Sequence, residues 1–116
     1  MSTTDSIYCF VKGLTLELTE EYEMQLQKTE DFAKWNLPEE IALEWIDTKG
    51  MIEILFTNKR ISLPLHQLLF SIILNFENAF CNSMQVYTHE AMKKSTFWEN
   101  QRELARKAYD FFSYNA

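Results

Sequence analysis

Glycine is almost missing: Gly13 and Gly50 are the only two in 116 residues. Phosphate-cradling loops, dinucleotide fingerprints and nucleophile elbows need glycine, because their backbone takes positive φ or approaches a ligand closely. Neither glycine sits in such a motif, which removes those enzyme classes. Histidine (His66, His89) and cysteine (Cys9, Cys81) are equally scarce. No HxxxH, CxxC or clustered carboxylate set with metal-ligand spacing occurs, so neither a metal nor a cofactor is expected. Two cysteines at unrelated spacing make no disulfide framework, and a Cys9–Cys81 bridge would belong only to an oxidising compartment.

Long apolar runs are missing too. The most apolar stretch, Leu63–Phe76, is interrupted by Pro64, His66, Gln67, Ser71 and Asn75, and is too short and too polar to span a bilayer. The opening Met1–Ser6 has no basic segment leading into an apolar run, so a secretory leader is not expected and a cytoplasmic location is. Basic charge is in deficit, 11 Lys and Arg against 17 Asp and Glu, a net charge of −6. That sign argues against nucleic acid or an anionic membrane as partner, since both reward a basic surface. The imbalance is local: residues 1–58 carry 12 acids and 4 bases, and residues 59–116 carry 5 acids and 7 bases.

What is present is ample core material. Apolar residues make up 47% of the chain, enough for a single domain over residues 1–116. Leu14-Thr-Leu-Glu-Leu18 alternates as a half-buried strand does. Thr19 is placed to cap a helix opening with Glu20 and Glu21, with Tyr22, Leu26, Thr29 and Ala33 on one face and Asn36-Leu-Pro38 as its stop. Ile41–Ile46, Met51–Phe56 and Ile61–Leu63 read as a three-strand meander, with Asp47-Thr-Lys-Gly50 and Thr57-Asn-Lys-Arg60 as turns, though helical periodicity competes across Glu39–Asp47. From Pro64 a helix is predicted with Leu65, Leu69, Ile72, Phe76 and Ala79 as its main stripe, ending near Asn82. Met84–Tyr87 fits a short strand, and Thr88–Lys94 one or two helical turns. Thr96-Phe-Trp-Glu99 has capping-box form and opens a last helix. Its apolar row is Phe97, Gln101, Leu104, Ala108 and Phe111, with Glu99, Arg102, Glu103, Arg106 and Asp110 outside. The order implies an α+β domain, a small antiparallel β-meander packed against about three helices.

Cys81 and His89 form the one conceivable nucleophile–base pair, but a dyad needs hydrogen-bond reach and a third, orienting group; a buried cysteine more simply acts as a small hydrophobe. The distinctive surface feature is acidic. On the predicted first helix, Glu20, Met24, Gln27 and Asp31 point away from the apolar stripe, with Trp35 close by, and Glu20, Glu23, Met24, Asp31 and Trp35 are the residues expected to bind a partner. Carboxylates steer a basic partner and an aromatic ring supplies a desolvated anchor; the plainer alternative is a solvated acidic face with Trp35 folded onto the core. Lys93, Lys94, Arg102, Arg106 and Lys107 are interleaved with acids and need only pairing at i,i+3 or i,i+4 to explain them. The expected function is therefore that of a small acidic protein-binding protein, not an enzyme, of the inhibitor, immunity or antitoxin type, neutralising a basic toxin or nuclease. The alternatives are a dimeric escort or secretion chaperone, suggested by the broadly apolar Pro64–Phe80 helix, and a small enzyme using Cys81. Either a monomer or a homodimer suits these readings.

Overall fold

The computed structural model describes residues 3–114, and among them there is no strand. Met1 and Ser2 of the N-terminal stretch read above lie outside the described residues. Helix α1 spans Thr3–Leu18, α2 Tyr22–Lys28, α3 Leu37–Asp47, α4 Lys49–Thr57, α5 Leu63–Asn82, α6 His89–Lys94 and α7 Thr96–Tyr114, with 3-10 turns at Asp31–Asn36 and Met84–Val86. The expectation of an α+β domain is thus overturned: every segment read as a strand is helical or lies in a turn or link between helices.

Periodicity gives the reason. In α1 the buried residues are Val11, Leu14, Thr15 and Leu18, a helical i, i+3, i+4, i+7 stripe, while Leu16, which completed the apparent alternation, points to solvent. In α3 the buried positions Leu37, Pro38, Ala42 and Trp45 lie along one helical face, and in α4 Ile52 and Leu55 do the same. The glycine read as a hairpin residue, Gly50, lies inside α4, and no glycine takes positive φ. Between α3 and α4 the chain only kinks: the buried Thr48 hydroxyl donates to the Trp45 carbonyl at 2.6 Å, and the next helix begins at once.

The helix expected from Thr19 to Asn36 is broken. Thr19 ends α1, its hydroxyl donating back to the Leu16 carbonyl at 2.6 Å, and Glu21 holds the N-cap position of α2. Extended backbone at Thr29 (ψ 139°) and Glu30 (ψ 143°) separates α2 from the 3-10 turn. Pro38 opens α3 instead of closing a helix before it, using a position whose amide has no helical partner anyway. Pro64 does the same in α5, where the Ser62 hydroxyl caps the Leu65 amide.

Helix α5 is the centre of the domain. Leu65, Leu69, Ile72, Ile73, Phe76 and Ala79 are buried on it, against α7, α3 and α4, while α1 lies across α4 and α7. Leu74 is exposed and Phe70 half-buried, its ring tilted over His66 at 4.7 Å. An aromatic cluster of Phe76, Phe80, Tyr87, Phe97 and Trp98 closes one end, and its polar atoms find backbone partners: Tyr87 Oη donates to the Phe76 carbonyl at 2.7 Å and Trp98 Nε1 to the Val86 carbonyl at 2.8 Å. The cap of α7 is Ser95, whose hydroxyl accepts the Trp98 amide, one residue before the expected Thr96. Arg102, expected outside, is 2% exposed. Its Nη2 donates to the Met92 carbonyl at 2.7 Å and its Nε to the Glu20 carbonyl at 3.2 Å, tying α7 to α6 and to the link between α1 and α2.

Candidate functional site

Two neighbouring features share the acidic half of the chain. The first is the 3-10 turn Asp31–Asn36. Side chains at i and i+3 eclipse on a 3-10 helix, so Phe32 and Trp35 stand in register, and both are largely in solvent, 79% and 77% exposed. Trp35 is thus not folded back, whereas the other two tryptophans, Trp45 and Trp98, are fully buried. The turn is held from below by His89: its Nε2 lies 3.1 Å from the Trp35 carbonyl and its Nδ1 2.6 Å from the Tyr22 hydroxyl. A carbonyl can only accept, so Nε2 carries the proton, and in the neutral ring Nδ1 accepts from Tyr22. Both ring nitrogens are therefore engaged, and neither with Cys81; both cysteines are free and exposed.

Of the residues predicted to bind a partner, Glu23 is exposed, Met24 is 46% exposed, and Asp31 projects into solvent beside Lys34 at 3.0 Å. Together with Trp35 they lie on α2 and the turn that follows. Glu20 does not join them. Its side chain is mostly buried, paired with Lys28 at 2.8 Å, and it faces the second feature.

That feature is a cleft of about 250 Å³ between α1 and α3, floored by α2 and the 3-10 turn. Leu14, Leu18, Leu37 and Ile41 give it apolar walls; Glu17, Glu20, Glu40 and Glu44 surround them, with Lys28 the one base. Glu40 accepts from the Asn36 amide at 2.9 Å. Glu17 and Glu44 have no ion pair or hydrogen bond among the described side chains. Burial pushes the Glu17 carboxyl above the ordinary range, with Glu20 adding to the rise and Lys28 opposing it. Glu44 is raised by burial, then by Glu17 and Glu40. Gln25 also lines the cleft: its Nε2 donates to the Glu17 carbonyl at 3.1 Å, and its buried Oε1 has no partner.

Phe32 and Gln25 are the residues that sequence reasoning passed over. The signal for Phe32 was its i,i+3 spacing from Trp35 in a stretch with few apolar neighbours; for Gln25 there was none. No group of three or more His, Cys, Asp or Glu among the described residues is arranged to hold a metal ion, and no helix among them is long and apolar enough to cross a membrane. No protein-family model, curated protein or solved structure matches the chain.

Proposed function

We propose that this is a small protein-binding protein of the inhibitor or immunity type, which neutralises a basic toxin or nuclease in the cytoplasm by docking it on the Phe32–Trp35 turn. The supporting observation is the pair of exposed rings, 79% and 77% accessible, on a turn flanked by Glu23, Glu30 and Asp31. Leaving two large aromatic side chains in water forgoes their burial energy, on the order of 1.5–3 kcal/mol each, which a partner surface would recover. Aromatic residues are the commonest interface anchors, and a surrounding field of one sign favours a partner of the other. The escort alternative rested on the apolar breadth of α5; its main stripe packs on α3, α4 and α7, while Leu63 and Leu74 stay exposed.

The test is capture from an extract of the native host by the immobilised protein and by its Phe32→Ser/Trp35→Ser variant, which alters only solvent-facing rings. The expected result is a basic protein retained by the first and lost by the second. Capture of an acidic protein, equal retention by both, or no specific capture would contradict the proposal.

A further inference from the structure

The 3-10 turn that carries Phe32 and Trp35 has little of its own to hold it. None of Asp31–Asn36 is buried, and the chain enters the turn through extended backbone at Thr29 and Glu30. Its hydrogen bonds are nearly all local: the Ala33 amide to the Glu30 carbonyl at 2.9 Å, the Leu37 amide to the Lys34 carbonyl, and the Asn36 side-chain amide to Glu40. Among the described residues a single hydrogen bond joins the turn to a distant part of the chain, from His89 Nε2 to the Trp35 carbonyl at 3.1 Å. We propose that His89 is the positioning residue of the docking site, a latch from α6 that fixes how the two rings are presented by acting through the backbone of the turn. This rests on the reading that a partner docks at Phe32 and Trp35.

Tyr22 sets what His89 can do. Its hydroxyl lies 2.6 Å from Nδ1, and its ring meets the imidazole edge-on with centroids 5.6 Å apart. Tyr22 is buried on α2, with the Lys93 ammonium over its ring at 5.1 Å, so the phenol is a well-placed donor. With Nδ1 accepting from it, the proton of the neutral imidazole is confined to Nε2, the nitrogen that faces the Trp35 carbonyl. A turn with no buried side chain gains little from the hydrophobic effect, so one such contact weighs more here than it would inside a core. Without the latch the turn exchanges among conformations, and only the fraction that presents both rings together binds. Apparent affinity falls by that fraction.

Amide hydrogen exchange of the free protein, followed by nuclear magnetic resonance, tests the latch without a partner. The reporters are the Ala33 and Leu37 amides, read against the Ile72 amide of α5, which opens with the whole domain. His89→Leu should speed exchange at Ala33 and Leu37 roughly three- to tenfold relative to Ile72, the effect of losing one hydrogen bond. His89→Gln, whose amide nitrogen reaches as far as Nε2, should restore slow exchange. His89→Asn, which reaches only as far as Nδ1, should not, and that contrast separates a latch from lost packing because both variants are polar amides. Tyr22→Phe should fall between, since the imidazole keeps its donor but loses the group that orients it. With the captured basic partner, His89→Leu should weaken binding by a factor similar to its effect on exchange, and His89→Gln should recover it. Unchanged exchange in His89→Leu, equal exchange in the Gln and Asn variants, or full partner affinity while the turn is loosened would overturn the proposal. Failure of the docking reading is a different result: a partner retained equally by wild type and Phe32→Ser/Trp35→Ser.

Discussion

Arg102 shows how much a single side chain carries in this fold. It is buried on α7, yet its guanidinium reaches the carbonyls of Met92 and Glu20 and lies 3.6 Å from Glu99. Charged hydrogen bonds of this kind contribute about 1.5–3 kcal/mol each, and removing the donor leaves the acceptors stranded. Arg102→Ala is therefore expected to lower stability by roughly 2–4 kcal/mol, and Arg102→Lys to recover only part of it because an ammonium has no planar fork. Urea denaturation checks this, and an unchanged midpoint for the alanine variant would show that the contacts are idle. Tyr87 makes a different demand. Burial pushes its phenol well above the usual tyrosine range, so its neutral form is favoured by folding. The resulting stability is complete below the unfolded value near pH 10 and is lost as pH rises through the folded one. In an alkaline absorbance titration, wild type and Tyr87→Phe should ionise alike while helicity persists, and wild type should release its extra phenolate only on unfolding. An extra phenolate in the folded protein would contradict that burial.

At the scale of elements, α5 was legible because its stripe is long: five positions at helical spacing admit no second period, and Leu65, Leu69, Ile72, Phe76 and Ala79 are all buried. Ile72→Ala is expected to cost about 2–5 kcal/mol, the usual range for truncating a buried side chain in a close-packed core. Equilibrium unfolding measures it, and a shift of a few tenths would mean that α5 is not the centre of the domain. The segments now seen as α3 and α4 were not legible, for a physical reason. Six-residue apolar runs such as Ile41–Ile46 satisfy both a period of two and a period of 3.6, and only the burial of Ala42 and Trp45 at i,i+3 separates them. Asp47-Thr-Lys-Gly50 resembled a hairpin turn by composition, yet helix α4 already runs through Lys49 and Gly50. The candidate site was partly readable. Acidity and the presence of Trp35 are composition, but the pairing of Phe32 with Trp35 depends on a 3-10 turn hidden inside an apparently continuous helix. The cleft depends on how α1 and α3 lie in space, which no local pattern encodes.

For the molecule as a whole, the charge asymmetry between the two halves becomes a division of surface. The basic residues of the second half are largely spent on internal pairs: Arg106 with Glu99, Glu103 and Glu21, and Lys94 with Glu90. Glu23 and Glu30 near the aromatic turn have no such partner among the described side chains, whereas Asp31 is paired with Lys34, so two unpaired carboxylates flank the rings. Long-range attraction of this sort acts on encounter and is screened beyond about 8 Å at physiological salt, whereas desolvated rings act on escape. Association with the captured basic partner, followed in stopped flow through the fluorescence of Trp35, the one tryptophan left in solvent, separates the two. The association rate should fall steeply with ionic strength and with Glu23→Lys/Glu30→Lys/Asp31→Lys, while Phe32→Ala should chiefly raise the dissociation rate. An association rate indifferent to both salt and charge reversal, or Trp35 emission that does not change while the partner binds, would show that the acidic aromatic turn is not where the partner docks.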